Sequence, residues 1–298
     1  MVKIGEIYRK LVDDDFKILE FFVRRIKRYE YIPLQTLIEY FNKDYTQKEI
    51  MARIKKLVML KLIEKHSSSD SYRLRFLGLD CYALKKLASK DILKAIGDKI
   101  GVGKESDVYR GIAGDDSNVV VKFYRIGRRS FRNIARVRDY GSEAEGSRWI
   151  LRSILAGNRE RAALEALNRF NINGIPKLYG GIYHTIVIEY IEGPLLIEVK
   201  SLESPKDCFN EIIDTIKKAF QYGNIVHGDL SPYNIMIDYS KNVERPIIID
   251  WPQYVPSVNP LAIEILKKDL HNIIKFFNKR FNLNADLDQT LKYVLEKS

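Results

Sequence analysis

The run His227-Gly228-Asp229-Leu230-Ser231-Pro232-Tyr233-Asn234, followed by Ile247-Ile248-Ile249-Asp250, places a base and two metal ligands close together in the chain. A carboxylate at Asp229 can accept the proton of an attacking hydroxyl. The amide of Asn234 and the carboxylate of Asp250 can hold Mg²⁺ on the phosphates of a nucleotide. An H-x-D-x-x-x-x-N run with an Asp after an apolar strand is the core of kinase-type phosphoryl transfer. That chemistry needs positioning and charge neutralisation more than covalent catalysis. One Asp in a loop would say little; the spacing, together with matching parts upstream, says more.

Those parts are present. Ile100–Val108 reads as a glycine-rich turn between two strands, with the pattern G-x-G-x-x-S-x-V. Glycine at Gly101 and Gly103 lets backbone approach phosphate oxygens, and Ser106 replaces a third glycine with a hydroxyl that can donate to them. Lys104 belongs to the same turn. A plain hairpin is the other reading of this stretch; a Walker A loop is excluded, because no Gly-Lys-Ser/Thr run opens a helix. Lys122 closes the β-branched run Val119-Val120-Val121 and is spaced to reach the α- and β-phosphates if a helix carboxylate holds it. Arg159–Leu167 has a helical period and offers Glu160 first, Glu165 as the alternative. Thr185–Gly193 reads as a buried strand entering a hinge, where the backbone of Glu189 and Ile191 can bond an adenine edge. Val108, Val120, Ile188, Met236 and Ile249 are placed to sandwich the base, although each residue type is also ordinary core.

These motifs resemble the RIO family of atypical protein kinases. The resemblance is carried by Gly103-Lys104-Glu105-Ser106, by Lys122–Arg132, by His227–Ser231 with Tyr233-Asn234, and by Ile249-Asp250-Trp251-Pro252-Gln253. It runs from about Asp91 to the end. The chain departs from ordinary protein kinases in having Ser231 where a catalytic-loop Lys is usual, Asp-Trp-Pro in place of Asp-Phe-Gly, and no Ala-Pro-Glu. Fewer than about fifty residues follow Asp250. The nucleotide site therefore reads as complete and the peptide-gripping platform as missing.

The 298 residues suffice for two domains, and 46% hydrophobic with 30% charged residues is the balance of a soluble globular protein. Charge begins at Lys3, so no signal peptide is expected, and no run approaches the roughly 18 apolar residues of a membrane span. Cys81 and Cys208 lie far apart without metal-ligand spacing, which suits a reducing, cytoplasmic setting. The net charge of +11 is uneven. Residues 1–90 hold 20 Lys and Arg against 12 Asp and Glu, and residues 125–138 hold six Arg and no acid, so the rest sums to about −3. Concentrated basic charge suggests a polyanionic partner, most simply nucleic acid.

Residues 1–90 read as helices and a hairpin. Asp13–Arg28 carries the stripe Phe16, Leu19, Phe22, Val23, Ile26. Pro33 opens a short helix through Phe41. Thr46-Gln47-Lys48-Glu49 is a capping box, starting a helix with Ile50, Met51, Ile54, Leu57 and Val58 on one face and Lys48, Arg53, Lys55 and Lys56 largely off it. Strands at Leu62–His66 and Tyr72–Phe76 flank the turn Ser67–Ser71, with Arg73 and Arg75 alternating on the second. This order is that of a winged helix-turn-helix, with the Thr46–Leu60 helix as recognition helix and the turn as wing tip; a protein partner is the other use of such a domain. Asp91–Ile100 is expected to link the domains as a short helix capped by Asp91. Residues 125–142 read as a flexible insertion in which Ser130 is a candidate for self-phosphorylation.

The expected fold is α+β: a winged helix-turn-helix domain over 1–90, then a trimmed, two-lobed protein-kinase-like domain over 91–298, with its N-lobe at about 91–188, hinge at 189–193 and C-lobe at 194–298. The N-terminal domain resembles that of the winged-helix-bearing RIO subfamily. The resemblance implies a Mg-ATP-dependent serine/threonine kinase or ATPase, with Mn²⁺ able to replace Mg²⁺. It also implies a part in small ribosomal subunit maturation and a partner in rRNA or a ribosomal precursor. In that reading Asp229 is base or water-positioner, Asn234 and Asp250 hold the metal, and Lys122 and Ser106 bind phosphates. In the same reading Asp250, whose carboxylate must approach the phosphates to hold the metal, is also a candidate to accept the phosphoryl group transiently. Aminoglycoside and choline kinases share H-G-D-L…N and I-D-W, which makes a small-molecule phosphotransferase the alternative. The winged helix and arginine-rich insertion argue against it. A relict, non-enzymatic scaffold would have no reason to keep Lys122, Asp229, Asn234 and Asp250 together.

Overall fold

In the computed structural model the described residues are 4–102, 105–127, 146–240 and 243–296. They divide into two compact units, Met1–Leu155 with Gly181–Val187, and Ala156–Gly180 with Ile188–Ser298.

The first unit begins with α1 (Ile4–Tyr8), α2 (Asp13–Arg25), β1 (Ile32–Pro33), α3 (Leu34–Phe41) and α4 (Gln47–Met59). The hairpin β2 (Ile63–Lys65) and β3 (Ser71–Leu74) follows, then α5 (Phe76–Ala88). The expected stripe of α2 is buried at Phe16, Leu19, Phe22, Val23 and Ile26. The capping box at α4 forms as read: Thr46 Oγ1 accepts from Glu49 N at 3.3 Å and Glu49 Oε2 accepts from Thr46 N at 2.8 Å. Ile50, Ile54 and Leu57 are buried, but Met51, expected on that face, is 45% exposed. β1, β3 and β2 form an antiparallel three-stranded sheet.

Two local readings are corrected. The second hairpin strand stops at Leu74, and Phe76 instead opens α5, a helix buried on nearly every side, including Gly78, Leu79, Asp80, Cys81, Tyr82, Ala83, Leu84 and Leu87. An all-round apolar helix carries no amphipathic period, so nothing in its pattern separates it from the strand before it. The expected linker helix at Asp91–Ile100 is the strand β4 (Ala95–Val102). Asp91 sits at φ +55°, in the left-handed region rather than the extended one an N-cap needs, and Gly97 and Gly101 weaken any helix through the segment.

β4 pairs antiparallel with β5 (Ser106–Ile112), and β5 with β6 (Asn118–Tyr124). With β7 (Leu178–Ile182) and β8 (Thr185–Glu189) they form a sheet ordered β4–β5–β6–β8–β7. Val119, Val121 and Phe123 fill the core side of β6. The helix α6 spans Gly146–Arg169.

The second unit contains the end of α6, then α7 (Pro205–Gln221), β9 (Ile225–Val226), β10 (Ile235–Asp238), β11 (Arg245–Ile248), β12 (Val255–Pro256), α8 (Ala262–Phe281) and α9 (Leu287–Leu295). β10 pairs with β11 and β9 with β12, both antiparallel. Its core gathers Ile212, Ile237, Ile248, Trp251, Leu266, Leu270, Ile273 and Phe277. Cys81 and Cys208 are both free and buried. Among the described residues no helix is long and apolar enough to cross a membrane.

Candidate active site

The chemistry-bearing loop of the second unit leaves β9 at His227 and ends where β10 begins. His227 is buried, and its Nε2 donates to Ile249 O at 3.0 Å, while Nδ1 accepts from Asp229 N at 3.3 Å. Those two partners fix the tautomer with the proton on Nε2. The ring also packs on Trp251 at 4.6 Å between centroids. Gly228 turns the chain at φ +85°, and a Cβ there would lie 2.5 Å from Gln253 O. Only glycine fits such a position.

Asp269 of α8 organises the same loop. It is 1% exposed, and its two oxygens accept from Gly228 N at 2.8 Å and Leu230 N at 3.0 Å. Burial raises its pKa above the usual carboxylate value, opposed by the Gly228 amide, by His227 and by the Leu230 amide. Asn272 adds a bond from Nδ2 to Leu230 O at 3.0 Å. Held at both neighbours, Asp229 is exposed.

Asn234 and Asp250 meet through strand pairing. Ile235 faces Ile248 across the β10–β11 ladder, and Ile249 N donates to Asn234 O at 2.9 Å. The Asn234 Nδ2 is committed to Asp229 O at 2.8 Å, which leaves its amide oxygen as the end available to a cation. Asp250 lies at φ +70°, a strained setting for a residue with a Cβ. It is held from both flanks: His227 takes Ile249 O, and Trp251 N donates to Glu160 Oε1 at 3.2 Å. Arg159, next to Glu160 on α6, donates to Pro252 O at 2.7 Å and to Tyr254 O. Two hard oxygen donors suit Mg²⁺, which takes one or two protein ligands and completes its shell with phosphate and water.

Glu160 is 1% exposed, whereas the alternative Glu165 is exposed and pairs with Arg161 at 3.5 Å. At the hinge, Glu189 N donates to Lys177 O at 2.8 Å, so its carbonyl is what it can offer a base. The Glu189 side chain accepts from Lys177 N and lies 3.5 Å from Arg245. Ile188 and Ile191 are buried; Met236 and Ile249 are half-buried.

In the first unit, the register sets Ser106 opposite Tyr124, Val108 opposite Lys122, and Arg110 opposite Val120. Alternation along each strand puts Ser106, Val108, Val120 and Lys122 on one face of the β5–β6 ladder. Gly101 pairs with Val108 at the end of β4. Ser106 is buried, Val108, Val120 and Lys122 are half-buried, and Lys122 Nζ lies 4.8 Å from the Tyr124 ring centre. Gly103, Lys104 and Ser130 lie outside the described residues, as does most of the arginine-rich insertion.

A family model of the RIO domain matches residues 107–290, and one of the Rio2 N-terminal region matches residues 8–90. The chain belongs to the RIO family, in its Rio2 branch. The RIO-type serine/threonine-protein kinase Rio2 of Methanocaldococcus jannaschii is 34% identical over 278 residues, 90% of this chain and 99% of that one. The serine/threonine-protein kinase rio2 of Dictyostelium discoideum is 34% identical across 92% of this chain, which spans 51% of that relative. The Rio2 kinase–ADP/Mg²⁺–phosphoaspartate complex of Chaetomium thermophilum superimposes with a TM-score of 0.83 at 27% identity, covering 98% of this chain and 89% of that one. The enzyme is thus a Rio2-type serine/threonine-protein kinase, and the small-molecule phosphotransferase alternative is not favoured.

Within the Rio2 N-terminal match, the six basic residues read as nucleic-acid contacts separate into two groups. Arg53 bonds Asp14 at 2.7 Å and Asp15 at 3.3 Å, and Lys56 also pairs with Asp15, which is fully buried. These two hold α4 against α2. Arg73 is 11% exposed between Glu30 and Glu64. Lys48 and Lys55 are exposed, as is Arg75, whose nearest carboxylate is Glu64 at 3.7 Å. The sequence reading also missed Asp269 and Arg159. A signal for Asp269 existed: it interrupts the apolar stripe Leu266, Leu270, Ile273, Phe277 of α8. Arg159 had none.

Proposed function

We propose that this Rio2-type kinase uses Mg-ATP and acts in the cytoplasm on a small-subunit ribosomal precursor. The observation that carries the reading is the Asn234–Asp250 pair. One oxygen donor is oriented by the Asp229 carbonyl, and the other is held in a left-handed conformation by His227, Glu160 and Arg159. Mg²⁺, when bound, neutralises charge on the phosphates. Asp229 accepts the proton of the attacking hydroxyl or orients a water. Lys122 and Ser106 bind phosphate oxygens, the Glu189 carbonyl and Ile191 amide hold the adenine edge, and Val108, Val120, Ile188, Met236 and Ile249 enclose the base. The ADP and Mg²⁺ of the Chaetomium complex support this assignment.

That complex also contains phosphoaspartate. We place the same chemistry on Asp250: its oxygen attacks the γ-phosphorus, the bond to the β-phosphate oxygen breaks, ADP departs, and water hydrolyses the acyl phosphate. A hydroxylamine-labile adduct at Asp250 is the expected product after incubation with Mg-ATP; its absence removes this step. The domain division at residue 90, and contact with rRNA through Lys48, Lys55 and Arg75, belong to the same proposal.

The test is ATP turnover with Mg²⁺, with and without purified small-subunit precursor particles, for wild type and Asp229→Ala. Stimulation by particles that falls at least about a hundredfold in the variant is expected. Turnover indifferent to particles argues for another acceptor.

A further inference from the structure

We propose that Asp80, on α5 of the N-terminal region, is a positioning residue for the phosphate-binding strands and acts through Arg125. This rests on the assignment of Lys122 and Ser106 to ATP phosphates.

Arg125 follows β6 directly, three residues after Lys122. Its guanidinium donates from Nη2 to Asp80 Oδ2 at 2.6 Å, from Nε to Asp107 Oδ2 at 3.1 Å, and from Nη1 to Tyr124 O at 3.2 Å. Asp107 is the neighbour of Ser106 and also pairs with Lys99 of β4. The backbone of Arg125 donates to Glu105 O at 2.6 Å. His184 closes the far side: its Nε2 bonds Asp80 Oδ1 at 2.7 Å, and its carbonyl accepts from Tyr124 N at 2.9 Å. Arg125 and His184 therefore bond the Asp80 carboxylate of α5 directly, and Arg125 links it through Asp107 of β5 to Lys99 of β4.

All four central side chains are withdrawn from water. Their exposures are 4% for Asp80, 11% for Arg125, 8% for Asp107 and 0% for His184. The phenyl rings of Phe76 and Phe123 lie 5.0 and 5.5 Å from the guanidinium. Two carboxylates face two cations, Arg125 and Lys99, so charge balances. A buried network of this kind is poor evidence for stability, since apolar residues of like volume do as well. What a three-acceptor guanidinium fork supplies is direction. It fixes the end of β6 and the start of β5, the two places that carry Lys122 and Ser106. Loss of Asp80 frees one arm of the fork and lets both strand ends shift relative to the phosphates.

The experiment uses the full chain and measures kcat and KM for ATP, with thermal unfolding alongside, for Asp80→Asn, Arg125→Lys, the double variant and Lys122→Met. A KM raised about tenfold with kcat within about twofold is expected for both single variants, because displacement of binding groups by a fraction of an ångström weakens uniform binding. The double variant is expected to be no worse than either single one, as members of one network are not additive. Arg125→Lys keeps the charge, and so keeps the test open if Asp80→Asn does not fold. A wild-type KM in Asp80→Asn and Arg125→Lys, with only the unfolding temperature lowered, overturns the proposal alone. A wild-type KM in Lys122→Met overturns the phosphate assignment and the proposal with it.

Discussion

The two units hold their candidate groups by opposite means. In the first, side chains hold side chains: Asp80, Arg125, Asp107 and Lys99 form one ion-paired network behind β5 and β6. In the second, side chains hold backbone: Asp269 takes two loop amides, Glu160 takes Trp251 N, and Arg159 takes two carbonyls. The difference follows from what each site is built on. Strands β5 and β6 satisfy their own backbone in the ladder, so their remaining freedom is in how the strand ends are oriented. The segments Gly228–Leu230 and Asp250–Tyr254 lie outside any ladder. Their amides and carbonyls need partners from elsewhere, and the partners that arrive also fix the loop.

The contrast is broken most sharply by Arg125→Ala. It leaves Asp80 and Asp107 buried without their shared cation, and a loss of about 4 kcal/mol in urea unfolding is expected. A loss under about 1 kcal/mol would mean that water or Lys99 compensates and that the network is not a unit. Asp269→Ala orphans two buried amides rather than a charge. A smaller loss of about 2–3 kcal/mol is expected there, with a marked fall in turnover because Asp229 loses its support on both sides. Equal losses in the two variants would erase the distinction between the two means of support.

The smallest effect is one of pH. Burial lowers the pKa of His184 below its ordinary value of 6.5. Asp80 favours the charged ring, but desolvation dominates and Arg125 adds to it. The unfolded chain therefore binds a proton more readily than the folded one as pH falls. The stability held above about pH 6.5 is lost progressively below it, toward the folded pKa. Unfolding of wild type between pH 7 and 5 should show this acid slope, and His184→Gln should flatten it. An unchanged slope in the variant assigns the loss to other groups.

Sequence legibility tracks the range over which a feature closes. The capping box at Thr46 closes within three residues and forms as read. The His227–Asn234 run is local, and the strand pairing that brings Asp250 to Asn234 spans one hairpin. The bonds that immobilise these groups close across far longer stretches: Leu230 to Asp269 across 39 residues, Arg125 to Asp80 across 45, and Arg159 to Pro252 across 93. No periodicity encodes such pairs. For the same reason the strand expected to run through Phe76 and the helix expected at Asp91–Ile100 do not form: Phe76 opens a helix buried nearly all round, and pairing with β5 makes a strand of Ala95–Val102.

By itself the sequence supplied the candidates: the residues proposed as base, metal ligands and phosphate ligands are picked out by type and spacing, because they lie in short local runs. Only the tertiary structure decided which charges remain free to act. Arg53, Lys56 and Arg73 look like nucleic-acid contacts along the chain but are tied to Asp14, Asp15, Glu30 and Glu64 in the fold. Asp80 and Asp269 are ordinary carboxylates along the chain but are buried in the fold, where Asp80 holds Arg125 in the first unit and Asp269 holds the Gly228 and Leu230 amides in the second. Residue type fixes what a group can donate or accept; whether water or another part of the chain takes that bond depends on burial, and burial is set by packing between segments that are distant in sequence.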